Sequence, residues 1–196
     1  MCALVRISLF FVVGNIQYLK YNAIVRIKQQ VCIKEKTVMK NLVLYFSVFG
    51  STKLFAELVH ERVGGDLKEL KPTRPYEREY KPLLDFSKKE VDQGILTEFE
   101  ELNIDINEYD NIFVGYPMWW YTYPPILKHF FKKYDMTGKT IIPFNTHEGS
   151  GTGGTYNMIR RDVPEAKVLE GFAIRGGSMS EKQRPAINKW LESIGF

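Results

Sequence analysis

Cysteine is almost absent from this sequence of 196 residues: there are two, Cys2 and Cys32, and both precede Met39. Residues 39–196 therefore have no thiol for a disulfide framework, a thiolate metal site or a cysteine nucleophile. Histidine is also scarce, and the spacing of the three histidines resembles no metal site. This composition fits a cytoplasmic protein at least as well as a secreted one, and we expect a cytoplasmic location.

A large excess of charge is also lacking once the first 38 residues are set apart. They hold six of the 27 Lys and Arg residues but one of the 23 acidic residues, which leaves 21 basic against 22 acidic residues. The overall net charge of +4 thus belongs to the first 38 residues, and the rest of the chain is nearly neutral. A nearly neutral domain gives no reason to expect nucleic-acid binding.

The sequence has no apolar run of the roughly 20 residues that a membrane span requires. The run from Ile7 to Val13, after Arg6, resembles part of a signal peptide, but no convincing cleavage site follows. Residues 1–38 could be a dispensable or non-native extension, a targeting segment or an integral part of the fold. We favour the extension because Met39 directly precedes a predicted buried strand, and we expect one domain at residues 39–196.

From Asn41 onward, short apolar runs alternate with segments of helical periodicity. Strands are predicted at residues 42–46, 66–70, 112–116, 139–145 and 167–174, and helices at 51–63, 86–102, 126–134, 155–161 and 181–194. Three prolines are expected to break the chain before residue 86, and the charged helix at 86–102 to be a solvated face with ion pairs. Five buried strands with intervening helices predict a doubly wound parallel sheet, a three-layer α/β/α fold.

Three predicted strand ends carry unusual residues, and ligands bind at this edge of such sheets. The first loop has the hydroxyls of Ser47, Ser51 and Thr52, a tight turn at Gly50, and the N-terminus of a helix directly after it. These features predict a phosphate cradle that needs no basic side chain. That Ser51 simply caps the helix is an alternative that stays open. A nucleoside-triphosphate or dinucleotide loop is excluded, because the sequence has no Gly-Lys-Ser/Thr or Gly-x-Gly-x-x-Gly motif here.

The second loop, residues 115–125, holds two adjacent tryptophans and three tyrosines, which suit the face of a planar heterocycle. A cluster that caps the sheet, or a partner interface, is the alternative. The third loop, residues 146–154, has four glycines that let a ligand approach the backbone, although a flexible surface loop would look similar. Together the loops predict a ligand with a phosphate at one end and a flat polar ring at the other, which flavin mononucleotide (FMN) fits.

Three motifs carry a resemblance to the flavodoxin family, and most closely to its bacterial flavodoxin-like branch of short proteins. They are Ser-x-x-Gly-Ser-Thr at residues 47–52, Gly-Tyr-Pro-Met-Trp-Trp at 115–120, and Gly-Lys-Thr-Ile-Ile-Pro-Phe-Asn-Thr at 138–146 before a glycine loop. The resemblance covers Met39 to Phe196 in unbroken order. It implies a flavodoxin-like five-stranded parallel sheet in the order 2-1-3-4-5, and FMN as a non-covalent cofactor.

The resemblance also implies which residues contact FMN. They are Ser47, Phe49, Gly50, Ser51 and Thr52 at the phosphate, Pro117, Met118, Trp119 and Trp120 along one side of the isoalloxazine ring, and Thr146, Glu148, Gly149 and Ser150 at its other side and pyrimidine edge.

Two positions depart from the family pattern. Phe49 stands where the family usually has a small hydroxyl residue, which removes one phosphate contact. His147 and Glu148 replace a Ser-Gly type sequence and place an ionisable pair near the ring. Glu148 would lower the reduction potential by charge repulsion, and His147 could supply a proton. His60 and His129 are expected at surface or edge packing positions.

Two functions stay open at this point. The first, which we favour, is an electron carrier that docks a reductase and an acceptor protein in turn, although such carriers often have an acidic face that this domain lacks. The second is an NAD(P)H-dependent FMN oxidoreductase that reduces a quinone or a similar acceptor. We expect redox partner proteins or a small-molecule acceptor, no nucleic acid and no membrane span, and oligomerisation stays open.

Overall fold

The computed structural model describes residues 39–196, and the predictions for residues 1–38 lie outside this range. The strands are β1 (Asn41–Tyr45), β2 (Asp66–Glu69), β3 (Asn111–Pro117), β4 (Thr140–His147), β5 (Lys167–Val168) and β6 (Phe172–Arg175). The helices are α1 (Ser51–Val63), α2 (Tyr80–Gln93), α3 (Pro125–Lys133), α4 (Thr155–Asp162) and α5 (Arg184–Ser193). None of the helices described is long and apolar enough to cross a membrane.

The strands form one parallel sheet in the order β2-β1-β3-β4-β5, with β6 also paired to β4. This order confirms the predicted flavodoxin-like doubly wound fold. The break in strand order between β1 and β3 places the ends of both strands at the edge where such sheets bind ligands.

Alternating side chains of the central strands pack into two separate apolar layers. In β1, Leu42 and Leu44 face the layer that contains α3 and α4, whereas Val43 and Tyr45 face α1 and α5. Because both faces of the sheet are covered, its central strands are continuous apolar runs, as the sequence predicted. The α2 helix belongs to the first layer through Leu83.

The predicted fifth strand is split into β5 and β6. The split lies opposite Pro143 of β4, which has no N–H to donate to a neighbouring strand. Gly171, in the gap, approaches the Pro143 carbonyl so closely that a Cβ atom would lie 2.2 Å from its oxygen. The two short strands therefore occupy the single position that the sequence predicted for one.

The prediction for the helix at residues 86–102 was wrong at both ends, since α2 runs from Tyr80 to Gln93. Pro82 lies in the first helical turn, where a missing N–H needs no acceptor, so it does not break the chain there. Gly94 ends the helix in the left-handed conformation (φ 62°), and its N–H bonds back to the last turn. Beyond it the chain is extended, and Phe99 pairs with Pro72.

Candidate functional site

A cleft of about 540 Å³ opens at the carboxyl ends of β1, β3 and β4. Twelve of the thirteen residues predicted to contact a cofactor line it: Ser47, Phe49, Ser51, Thr52, Pro117, Met118, Trp119, Trp120, Thr146, Glu148, Gly149 and Ser150. The exception is Gly50, which shapes the loop without lining the cleft. The three loops that the sequence singled out thus meet at one place.

The first loop turns at Gly50, whose φ of 95° lies in the left-handed region that favours glycine. Its N–H donates to Ser47 Oγ at 3.0 Å, and α1 begins at the next residue, Ser51. The alternative that Ser51 caps the helix is wrong: the N-cap is Gly50, and no side chain caps this helix. The Ser51 hydroxyl instead donates to the carbonyl of Gly176 at 3.3 Å.

The backbone N–H groups of residues 51–53 have no acceptor among the described residues. They are the first-turn donors that an uncapped helix leaves unsatisfied, and they carry the positive end of the helix dipole. No Lys or Arg is among the residues that line the cleft in the described part of the chain. An anion at this end would therefore be held by backbone donors and hydroxyls alone.

A buried pair of threonines joins the first loop to the third. Thr52 Oγ1 and Thr146 Oγ1 lie 2.8 Å apart, and both side chains are almost completely buried. Their hydrogen bond links the N-terminus of α1 to the end of β4. It therefore ties the uncapped helix end of the cleft to the start of the glycine loop.

The aromatic loop contains a tight two-residue turn at its tip. Trp119 and Thr122 exchange both backbone hydrogen bonds, at 3.0 and 2.8 Å. Trp120 and Tyr121, between them, have φ angles of 52° and 63°, as a type I′ turn requires. Asn and Gly normally fill such positions, so two large aromatic residues there store backbone strain, which is typical of functional sites.

The two tryptophans have different surroundings. Trp119 is buried, with its ring edge-on to Phe46 and Tyr76 at 5.4 and 5.2 Å. Trp120 is 42% exposed, and its Nε1–H donates to Ser87 of α2 at 3.1 Å. The alternative of a capping cluster therefore holds for Trp119 in part, whereas Trp120 presents its ring to the cleft.

The glycine loop packs directly against the aromatic loop. A Cβ atom on Gly153 would lie 3.0 Å from Met118 Cε and 3.6 Å from the Cα of Tyr121. The side chain of Asn145, in β4, donates to the carbonyl of Gly151 in this loop at 3.0 Å. The alternative of an unattached flexible loop is therefore not what the contacts indicate.

The model of the family described as Flavodoxin matches residues 40–194. The chain belongs to the flavodoxin family. No curated protein sequence matches the chain.

Three solved flavoproteins are similar to this family member. A putative flavoprotein from Bacteroides eggerthii is 30% identical, with 80% of this chain and 98% of that chain covered and a TM-score of 0.70. One from Bacteroides uniformis is 28% identical, with coverage of 79% and 98% and a TM-score of 0.70. A flavoprotein from Lactobacillus acidophilus, solved in complex with FMN, is 22% identical, with coverage of 78% and 99% and a TM-score of 0.63.

The two positions that depart from the family pattern both lie at the cleft. Phe49 is 56% exposed and lines it, so this part of the lining is an apolar ring and not a hydroxyl. Glu148 is exposed and pairs loosely with Arg175, at 3.9 Å. The charge of Glu148 is therefore partly offset by a cation that the sequence did not place nearby.

His147 accepts a hydrogen bond at Nδ1 from the N–H of Gly149, at 3.0 Å. Burial, and to a lesser degree the charge of Arg175, lower the pKa of His147, while Glu148 opposes them. Both the lowered pKa and the bond from Gly149, which protonation at Nδ1 would break, favour a neutral imidazole at pH 7. His60 and His129 lie outside the cleft and bond to the carbonyls of Gly65 and Thr97, as their predicted packing roles suggest.

One wall of the cleft was missed from the sequence. The α2 helix contributes Tyr80, Leu83, Leu84 and Ser87 to the lining. The first three precede the helix predicted at 86–102, and Ser87 lies in the part that was expected to be a solvated face. The helical spacing of Leu83, Leu84 and Ser87 could have shown that one side of α2 is inward. Val48, Tyr121, His147 and Gly176 complete the lining.

Proposed function

We propose that this protein binds FMN in the cleft and carries electrons between redox partner proteins. One observation carries the proposal: a single cleft, whose described lining holds no Lys or Arg, has an uncapped helix N-terminus at one end and an exposed aromatic turn at another. The first feature suits a phosphate and the second suits a flat ring. A cytoplasmic location, expected from the sequence, is part of this proposal.

The donors and the volume of the cleft fit FMN, independently of family membership. The N–H groups of residues 51–53 have no acceptor among the described residues, and a phosphate group provides several oxygens that could accept from them. The volume of the cleft, about 540 Å³, lies within the range of small-molecule and cofactor sites. Bound FMN would supply the redox chemistry, and the protein would bind, orient and shield it.

Each loop then has a separate task. The hydroxyls of Ser47 and Thr52, with the first-turn N–H groups, would hold the phosphate. Met118 and Trp120 would contact the ring and keep water from one side of it. His147, neutral at pH 7, would have a ring nitrogen that can accept a proton near the glycine loop.

A reductase that takes electrons from NAD(P)H directly is a second candidate, favoured by the exposed aromatic residues at the mouth of the cleft. Tyr80 is 60% exposed and Tyr121 is 69% exposed, and both line the cleft outside the thirteen predicted contacts. They could receive a second flat molecule beside the cofactor. No Lys or Arg is among the described residues that line the cleft, and Arg175 beside it pairs with Glu148, which weighs against a site for the phosphates of NAD(P)H.

The cofactor proposal is tested by comparing FMN with riboflavin, which lacks the phosphate. We expect the purified protein to be yellow, to release FMN on denaturation, and to bind FMN at least about tenfold more tightly than riboflavin. Equal affinities would show that the helix N-terminus does not hold the phosphate. A colourless protein that takes up no added FMN would overturn the cofactor proposal itself.

Stopped-flow mixing of the FMN-loaded protein with NADPH separates the two candidate functions. We expect slow or no bleaching of the flavin absorbance with NADPH alone, and fast bleaching once a flavodoxin reductase is added. Fast bleaching by NADPH alone would replace the carrier with the reductase. The same experiment with NADH controls for the adenosine 2′-phosphate.

A further inference from the structure

We infer that Ser87 and Glu90 of α2 are positioning residues that hold Trp120 and Trp119 in the orientation that the cofactor requires. The inference rests on the proposed FMN site. Neither residue was singled out by the sequence. The two residues are three positions apart, on the buried side of a helix whose other faces are charged.

Ser87 acts on Trp120 directly. Its hydroxyl accepts the Trp120 Nε1–H bond at 3.1 Å and donates to the carbonyl of Leu84, also at 3.1 Å. Because the Ser87 hydroxyl uses its hydrogen in the bond to Leu84, its oxygen is left to accept from the indole. Trp120 has a strained φ of 52°, so this bond helps to hold a turn that the backbone alone disfavours.

Glu90 acts on Trp119 through Tyr76. The Glu90 side chain is 4% exposed and accepts bonds from Tyr76 at 2.7 Å and Thr97 at 2.8 Å. Burial raises the pKa of the Tyr76 phenol well above its usual value, so its hydroxyl stays protonated and donates. Among the ion pairs of residues 39–196, none includes Glu90, so these two hydroxyls are what satisfy its carboxyl group.

The Tyr76 ring then sets the position of Trp119. It meets Trp119 edge-on, at 5.2 Å and 81°, and Phe46 meets Trp119 at 5.4 Å and 87°. Trp119 therefore lies between two rings, one of which is fixed by the buried carboxyl group of α2. A buried carboxyl group without a cation is costly unless it is fully bonded, so the arrangement of Glu90, Tyr76 and Thr97 has one well-defined geometry.

The test compares Ser87→Ala and Glu90→Leu with the wild type and with Asp85→Asn, an exposed acidic position on the same helix. Glu90→Gln is the rescue variant, because its amide can still accept from Tyr76 and donate to Thr97. The readouts are the near-ultraviolet circular dichroism of the cofactor-free protein and the dissociation constant of FMN. Both are measured well below the unfolding midpoint, with far-ultraviolet spectra to show that each variant is folded.

We expect Ser87→Ala, which loses the bond from Trp120, and Glu90→Leu, which loses the bonds from Tyr76 and Thr97, to alter the near-ultraviolet spectrum and to weaken FMN binding about fivefold to tenfold. Glu90→Gln and Asp85→Asn should stay within about twofold of the wild type. Wild-type affinity and spectra in both folded variants, or a loss of stability alone, would overturn the inference. If Glu90→Leu does not fold, Tyr76→Phe, which removes only the hydroxyl, takes its place.

The outcomes also separate this inference from the proposed function. A wild-type protein that binds no FMN would overturn the cofactor proposal, and with it the part of the inference that concerns the cofactor. The spectra of the cofactor-free variants would still report whether Ser87 and Glu90 hold the tryptophans. Altered spectra with unchanged FMN affinity would show that they hold the rings but that the cofactor does not depend on it.

Discussion

Replacing Gly153 with alanine tests whether the glycine loop is shaped to fit against Met118, and Gly151 provides a matched control. Both glycines are in the left-handed region, with φ of 52° and 60°. A Cβ atom at Gly153 would lie 3.0 Å from Met118 Cε and 3.1 Å from its Sδ, whereas one at Gly151 would meet nothing within 4 Å. The two substitutions therefore share the backbone strain and differ in the contact.

The expected magnitudes follow from this difference. A residue with a Cβ atom in the left-handed region lowers the free energy of unfolding by about 1 kcal/mol. In a domain of this size this corresponds to about 2–4 °C of melting temperature. Both variants should show this loss. In Gly153→Ala the flexible end of Met118 must also move by a few tenths of an ångström, and because Met118 lines the cleft, FMN binding should weaken about fivefold.

The assay is thermal unfolding of the cofactor-free protein, followed by FMN titration at 25 °C for both variants. We expect similar melting temperatures for the two, with weaker FMN binding only in Gly153→Ala. Equal FMN affinities in the two variants would refute the reasoning, because the contact with Met118 would then have no effect on the site. A much larger loss of stability in Gly153→Ala would show that Met118 cannot move aside.

Three further predictions concern the rim of the cleft. Tyr121→Asn should raise the melting temperature by about 2 °C, because Asn tolerates the φ of 63°, and should weaken FMN binding; Tyr80→Asn, an exposed tyrosine in helical backbone, should show no such gain. Glu148→Gln should raise the midpoint potential of bound FMN by roughly 10–30 mV and Arg175→Gln should lower it, and an unchanged potential in both would contradict a role for this pair. His147 should titrate below pH 6.5 by NMR, since burial lowers its pKa. Its contribution to stability is present above pH 6.5 and is lost as the pH falls through the lowered pKa. His147→Gln should therefore reduce the loss of melting temperature over this acid range.

Local residue patterns were enough to predict the sheet and the edge at which the site lies. The β1 apolar run and the helix at Ser51–Val63 were predicted to within a residue, because strong apolar periodicity and the stop at Gly64 act locally. Loops at the carboxyl ends of parallel strands must meet at one edge, so three separate sequence motifs predicted one cleft. The partners within that cleft depend on tertiary packing, which no local pattern encodes.

The α2 helix shows where local patterns failed. The prolines before it suggested a broken chain, yet the missing N–H of Pro82 has no consequence in a first turn. The charged residues of α2 suggested a solvated helix, and most of them are indeed exposed. Glu90 is the buried exception, because Tyr76 and Thr97 donate to its carboxyl group, and the polar Ser87 is buried beside it with its bond from Trp120.

The aromatic turn shows why a site can be recognised from its residue types but not from its conformation. A two-residue turn with both φ angles positive favours Asn and Gly, and a sequence of Trp120 and Tyr121 would not be predicted to form one. The turn persists because its ends are closed by the bonds between Trp119 and Thr122, and because Ser87 holds the Trp120 indole. Such strain would be removed by Asn or Gly at the two positions if stability alone mattered. We therefore expect that the large rings are kept there for what they contact in the cleft.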